Sequence, residues 1–246
     1  MTQRDLVLAR IRSAIASAAR APAHQAPPGE RPQRPARQEA PPGDLSEQFV
    51  NAARAADARV SVASGPADAC RLVGDILRAE GASQVLVSPE AAGDPWRCVE
   101  TSALSGVTFI VRSPARNDLH DDVLKADAGI TVPAWGLADT GTLVLASSAG
   151  DHRLDSLFPP VHIALLPASR LVAGLFPLFT RIAAGDLFGR HSALTFVRGP
   201  SRTADIELTL TIGVHGPKAL YVVVVEDGPP PHHFDSRGPA GSGHGS

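Results

Sequence analysis

The stretch RVSVASGPADACRLVGDILRAEGASQVLVS, residues 59–88, decides the fold class of this 246-residue chain. A short apolar strand, RVSVAS, precedes a helical segment that ends at Gly81, and the strand QVLVS follows. Glycine adopts the left-handed backbone that commonly ends a helix, so Gly81 marks a natural boundary. Strand, helix and strand in this order are typical of α/β domains, in which helices connect parallel strands.

The same alternation continues on both sides of this stretch. The segment LSEQFVNAARAADA at 45–58 precedes it as a predicted helix. Further strands are predicted at 107–113, 141–147, 161–167 and 192–198, with helices near 117–126 and 168–184. Several of these strands are continuous apolar runs, as expected when helices cover both faces of a sheet. We therefore predict a three-layer α/β domain with a mainly parallel sheet.

Residues 204–212 fit two structures. Apolar residues alternate with polar ones, which is the period of a strand; the apolar ones are Ile206, Leu208, Leu210 and Ile212. The segment TADIE instead has the acids of a first helical turn, with Thr203 as a possible cap. The strand is favoured, and a turn at 215–218 then leads into the strand LYVVVV.

Four regions are predicted along the chain. Residues 1–20 form an amphipathic helix with Leu8, Ile11 and Ile15 on one side, and the proline-rich residues 21–43 form a linker. Residues 44–228 make up the α/β domain. Residues 229–246, rich in glycine and proline, have the composition of a disordered tail.

Composition excludes several classes of function. The formal net charge of -2 gives no basic surface for nucleic acid, and no apolar run has the length of a membrane span. Without a secretory signal, the cytoplasm is expected. Two cysteines, Cys70 and Cys98, cannot build a cluster motif and are expected to be reduced thiols.

Metal binding is not predicted for this chain. The histidines show no spacing typical of metal ligands; the four considered are His152, His162, His191 and His215. His162 begins an apolar strand, so a buried core histidine is favoured there over ligand contact.

Three polar segments are candidates for a ligand site, because ligands of open α/β sheets bind in crevices lined by loops at strand ends. The proposed ligand-binding residues are Thr140, Gly141, Thr142, Gly199, Ser201, Arg202, Thr203, His215 and Gly216. Amides and hydroxyls of the first loop can hold a carboxylate or phosphate, although they can equally satisfy their own backbone.

The charged members of these segments have chemical roles of their own. Arg202 has the planar fork that pairs with anionic oxygens, although an ion pair within the chain is the alternative. His215 lies between glycines, where it is either solvated or an acid–base group. Asp139 and His215 are the weak candidates for catalysis.

The chain resembles the lactate-utilization protein C family, whose core is the LUD domain. The resemblance rests on ADAGIT at 126–131, ADTGTLVL at 138–145, LFPPVHIALLP at 157–167, GPSRTADIE at 199–207 and GVHGP at 213–217. It covers residues 44–227 well and 1–20 loosely. It implies the fold of the superfamily that contains glucosamine-phosphate isomerase, ribose-phosphate isomerase and CoA-transferase.

The resemblance also implies a function: a cluster-free cytoplasmic component of L-lactate oxidation, partnered by two iron–sulfur proteins. The chain would bind a small anionic ligand and hold no cofactor itself, with the iron–sulfur clusters in its partners. It departs from the family at Asp139, where glutamate is usual, and at Ala134, where an acid is common. These departures weaken a general-base role for the loop more than they weaken binding.

Two other functions remain open. A free-standing enzyme of the same superfold would act on a sugar phosphate, a CoA ester or a folate, with Asp139 or His215 in acid–base work. A regulatory or scaffolding module would use residues 1–20 as a docking helix.

Overall fold

The structure, a computed structural model, describes residues 44–96, 106–111, 120–147, 154–184, 191, 193–204, 210–212 and 216–226. All of them belong to one compact unit within 39–246. The helix expected at 1–20, the linker at 21–43 and the tail at 229–246 lie outside the described residues.

Helices and strands alternate through this part of the chain. The helices are α1 (Asp44–Ala55), α2 (Pro66–Glu80), α3 (Pro89–Ala92), α4 (His120–Lys125), α5 (Leu154–Leu157) and α6 (Leu175–Ala184), with a 3-10 turn at Ala168–Arg170. The strands are β1 (Arg59–Ala63), β2 (Gln84–Val87), β3 (Thr108–Val111), β4 (Ala128–Thr131), β5 (Trp135–Leu137), β6 (Thr142–Ser147), β7 (Val161–Pro167), β8 (Leu171–Val172), β9 (Ala193–Val197), β10 (Arg202–Ala204), β11 (Leu210–Ile212) and β12 (Ala219–Val225).

Six strands form the central sheet, in the order β1-β12-β7-β4-β2-β3. Every neighbouring pair in this sheet is parallel. The three-layer fold predicted from the sequence, with a mainly parallel sheet and helices on both faces, is confirmed.

The central strand β7 shows why the apolar runs are continuous. All seven residues of VHIALLP are buried. Ile163 and Leu165 pack in the core formed with α2, whereas Ala164 and Leu166 pack on the opposite face in the core formed with α1. A strand covered on both faces needs apolar side chains at successive positions, because neighbouring residues point to opposite faces.

A second sheet of four strands, in the order β8-β5-β6-β9, lies apart from the parallel one. Its pairs β5–β6 and β6–β9 are antiparallel, and α6 packs Leu178 and Ile182 in one core with Trp135. The runs predicted as strands at 141–147 and 192–198 belong to this sheet. The helix expected near 168–184 begins only at Leu175, because Leu171 and Val172 pair with β5 as a short strand.

The structure decides between strand and helix for part of residues 204–212. Residues 210–212 form strand β11, which pairs antiparallel with β10 in a two-stranded ribbon. The strand interpretation is therefore confirmed for 210–212, and residues 205–209 lie outside the described part.

Cys70 corrects one expectation. It is a buried residue of α2 and is disulfide-bonded, so the prediction of two reduced thiols is wrong. Spacing along the chain does not reveal which side chains approach each other, and that approach is what a disulfide requires. The other cysteine of the sequence, Cys98, lies outside the described residues.

Helices long and apolar enough to cross a bilayer are absent from the described residues.

Candidate functional site

The polar loop at 138–141 is the turn of a hairpin that joins β5 to β6. Leu137 pairs with Thr142 across the hairpin, and the amide of Gly141 donates to the carbonyl oxygen of Leu137 at 2.9 Å. Gly141 has a φ of 65°, a left-handed conformation that glycine adopts without a steric penalty. The turn is thus closed by a hydrogen bond of its own main chain.

The turn rests on helix α1. Gly141 is buried, and a Cβ at this position would collide with the backbone nitrogen of Ala53. Glycine is therefore required by close packing as well as by the backbone angle.

The polar side chains of the turn have partners inside the fold. The hydroxyl of the buried Thr142 donates to the hydroxyl oxygen of Thr140 at 2.9 Å. The carboxylate of Asp139 lies against Gly174, where a Cβ would stand 2.6 Å from its Oδ2. Gly174 immediately precedes α6, and the amino end of a helix favours a nearby negative charge. A negative charge in this position would favour the start of α6.

The loop at 198–201 reaches the same end of α1. Gly199 has a φ of 73°, and a Cβ there would collide with the carbonyl oxygen of Ala56. The exposed Arg198 donates from Nε to the carbonyl oxygen of Thr140 at 3.1 Å. Both loops therefore pack on the end of α1 and contact each other.

The third predicted segment, at 213–217, contacts the second through Ser201. The amide of Ser201 donates to the carbonyl oxygen of Pro217 at 2.9 Å, and a Cβ at Gly216 would stand 3.2 Å from the Cβ of Ser201. We call residues 139–142, 198–201 and 216–217 the loop cluster. Arg202 and Thr203 continue from it as the backbone of β10, and His215 lies outside the described residues.

Sequence reasoning missed Arg198 of the loop cluster and Arg170, which lies beyond the carboxyl end of β7. Arg198 was overlooked because it ends a predicted strand. Arg170 follows the apolar strand β7 by three residues, and the rule that selected Arg202, an arginine just past a strand, would have found it.

Arg170 holds together the carboxyl ends of the strands. Its side chain is 4% exposed, its Nη2 lies 2.6 Å from Oε1 of Glu90, and its Nη1 donates to the carbonyl oxygen of Pro133 at 3.0 Å. Glu90 follows β2 and Pro133 follows β4, so one guanidinium ties two strand ends to the turn after β7.

His162 is buried in the core, as predicted, and pairs with a residue that the sequence did not single out. Its Nε2 lies 2.8 Å from Oγ1 of Thr131, the last residue of β4. Complete burial lowers the pKa of His162 to about 4, so the ring is neutral at physiological pH.

Among the residues that the structure describes, no group of three or more His, Cys, Asp and Glu side chains could hold a metal ion.

Comparison with known proteins gives the chain its relatives. The model of the LUD domain matches residues 46–225. Lactate utilization protein C of Halalkalibacterium halodurans is 42% identical over 107 residues, which are 42% of this chain and 46% of the relative. The same-named protein of Shouchella clausii is 46% identical over 101 residues, 40% of this chain and 44% of the relative. The chain thus spans less than half the length of these two relatives.

Two proteins of Deinococcus radiodurans extend the likeness. Its lactate utilization protein C is 33% identical over 163 residues, which cover 64% of this chain and 70% of the relative. A crystal structure of a DUF162 family protein from the same organism superposes with a TM-score of 0.54 at 25% identity, covering 76% of this chain and 99% of that one. The chain therefore belongs to the LUD domain family and is a relative of lactate utilization protein C.

Proposed function

We propose that this chain takes part in the utilization of lactate, as a cytoplasmic component that works with two iron–sulfur proteins and carries no cluster of its own. The observation that carries the proposal is the name lactate utilization protein C, which relatives with 33% to 46% identity share. Iron–sulfur clusters are held by about four cysteine thiolates. This sequence has two cysteines, so electron relay is assigned to the partners.

The proposed role of the chain is to bind a small anion at the loop cluster. Thr140, Ser201 and Gly216 are half-buried there, and Arg198 brings a guanidinium to the edge of the cluster. Arginine and hydroxyl donors suit carboxylate or phosphate oxygens. Gly141 and Gly199 are assigned the supporting role of seating the loops on α1. Thr142, Arg202, Thr203 and His215 complete the proposed set on sequence grounds.

Loss of the gene tests the role in lactate utilization. A deletion strain of the source organism should fail to grow on L-lactate as carbon source and should grow normally on pyruvate, which lies beyond the oxidation step. Expression of the chain should restore growth on L-lactate. Normal growth of the deletion strain on L-lactate would contradict the proposal.

The partner proteins are tested by isolating the tagged full-length chain from lactate-grown cells. Proteins that carry acid-labile sulfide should copurify with it, and their absence at micromolar concentration would contradict the assigned partnership.

Anion binding at the loop cluster is tested with inorganic phosphate and L-lactate as probes. Arg198→Gln should weaken binding about tenfold, because a hydrogen bond to a charged group is lost. Arg71→Gln, which removes an exposed arginine of α2, is the matched control and should bind like the wild type. Equal binding by both variants would remove Arg198 from the site.

A further inference from the structure

The strand order of the parallel sheet contains one reversal of direction. From β2 the chain proceeds outward to the edge strand β3, whereas from β4 it proceeds the other way, to β7 and then β12. The neighbouring strands β2 and β4 therefore send their connections to opposite sides. In open α/β sheets, ligands bind at the carboxyl ends of such a pair, because the diverging connections leave a crevice there.

Buried polar groups line this edge of the sheet. Ser88 follows β2 directly, and its amide donates to the carbonyl oxygen of Ile130 at 3.0 Å. Thr131 ends β4 next to it and is 7% exposed. Arg170 is held at the same edge by Glu90 and by Pro133, two residues beyond Thr131. The loop cluster contributes none of these residues.

The tautomer of His162 decides the direction in which the Thr131 hydroxyl donates. Within the described residues, Nδ1 of His162 is buried and has no hydrogen-bond partner. An unsatisfied buried N–H is rarer than an unsatisfied acceptor, so we assign the proton to Nε2. Nε2 then donates to Oγ1 of Thr131, which leaves the hydroxyl proton of Thr131 to be donated to another acceptor.

Arg170 has a second donor in the same state. Its two Nη atoms have partners, but its buried Nε–H has none among the residues that the structure describes. Buried donors are almost always paired in folded proteins. A single group that accepts from both Thr131 and Arg170 needs at least two oxygen lone pairs, and the positive guanidinium favours a negative charge on it, as in a carboxylate or phosphate.

We propose that the carboxyl edge of β2 and β4 is a second anion site, separate from the loop cluster, in which Thr131 and Arg170 donate to a small carboxylate or phosphate. His162 acts as a positioning residue that turns the Thr131 hydroxyl toward the ligand. This site does not depend on the role in lactate utilization, since it follows from the strand order and from two buried donors.

A second threonine provides the control. Thr131 and Thr180 each have a hydroxyl hydrogen bond, but Thr180 lies on α6, outside both anion sites, and donates to the carbonyl oxygen of Phe176 at 3.1 Å. Binding of pyruvate and of inorganic phosphate to the full chain is measured by calorimetry for Thr131→Val, Thr180→Val and the wild type. We expect Thr131→Val to raise the Kd for the preferred probe about tenfold, through loss of a hydrogen bond to a charged group. Thr180→Val should leave it near the wild-type value.

Further variants keep the test decisive. Thr131→Ser retains the hydroxyl and should restore binding. If Thr131→Val does not fold, Arg170→Lys replaces it, because lysine keeps the charge but lacks the Nε–H; the same tenfold loss is expected. Unchanged binding in the folded variant overturns the proposal. So does an equal loss for Thr180→Val, or a wild type that binds neither probe at about 10 mM. A preference for pyruvate or for phosphate identifies the anion class.

Discussion

The main chain of Gly141 lies directly against the main chain of Ala53, so a hairpin turn of the second sheet is seated on the first helix of the domain. Gly199 has the same relationship to Ala56, just beyond the end of that helix. Two loops that look like ligand-binding turns in the sequence thus share a structural support. Their glycines are required by packing whether or not the neighbouring hydroxyls bind a ligand.

Gly141→Ala tests the packing of this turn on α1. A methyl group at 141 would meet backbone atoms of α1 and would also occupy a left-handed conformation. We expect a loss of about 2–5 kcal/mol in the free energy of unfolding, from overpacking and backbone strain together. Urea denaturation measures it.

Gly81→Ala is the control for the backbone contribution alone. Gly81 has the same φ of 65°, but a Cβ there would have no heavy atom within 4 Å. Gly81→Ala should lower the free energy of unfolding by about 1 kcal/mol. Equal losses for the two variants would mean that the contact with Ala53 contributes nothing.

Stability should fall as the pH drops, through His162. Burial holds its pKa at about 4 in the folded protein, against an ordinary value of 6.5. Because the unfolded chain binds the proton more tightly, this contribution is complete above about pH 6.5 and is lost as the pH falls toward 4. Between about pH 7 and pH 5 we expect a loss of about 2 kcal/mol. Denaturant unfolding at both pH values measures the change.

His162→Gln provides the comparison, since glutamine does not titrate in this range. The wild type should lose about 2 kcal/mol more of its unfolding free energy between the two pH values than this variant does. An identical pH dependence in the variant and the wild type would exclude His162 as its source.

The ion pair between Arg170 and Glu90 should respond unequally to loss of either partner. Glu90→Ala leaves a buried guanidinium without its counter-charge and should cost about 2–4 kcal/mol. Arg170→Met should cost less, because Glu90 is 29% exposed and can turn to water. Asp75→Ala breaks exposed pairs with Arg71 and Arg78 on α2 and should cost at most about 1 kcal/mol. Thermal unfolding of the three variants measures the order, and a larger loss for Asp75→Ala than for Glu90→Ala would contradict it.

The carboxylate of Asp139 should stabilise the start of α6 by its charge. Asp139→Asn is expected to cost about 0.5–1 kcal/mol at low ionic strength. The difference between the variant and the wild type should shrink at about 1 M NaCl, where charges are screened over a few ångströms. A difference that is unaffected by salt would point to the shape of the side chain instead of its charge.

The parallel sheet could be predicted because its strands are buried on both faces. Continuous apolar runs such as VHIALLP, separated by helical segments, leave few other arrangements. The second sheet could not be separated from the first in this way, since TLVLAS in β6 is as apolar as a strand of the parallel sheet. Its antiparallel pairing with β5 depends on a four-residue turn, and sequence reasoning assigned that turn to ligand binding.

The meeting of Thr131, His162 and Arg170 at one edge could not be predicted, for a different reason. A local rule can select Arg170 by itself, but only the strand order brings the three segments together. Ser201 and Gly216, by contrast, were predicted to lie near each other, and the structure brings them into contact.

The packing of the two loops on α1 also affects how the domain folds. Ala53 and Ala56 come early in the chain, whereas Gly141 and Gly199 are synthesised much later. Contacts between residues so far apart close large loops of chain and slow folding. Until the later segments arrive, the helix keeps part of its surface open to solvent. A nascent chain that stalls before residue 199 would present an uncovered helix end to chaperones and proteases.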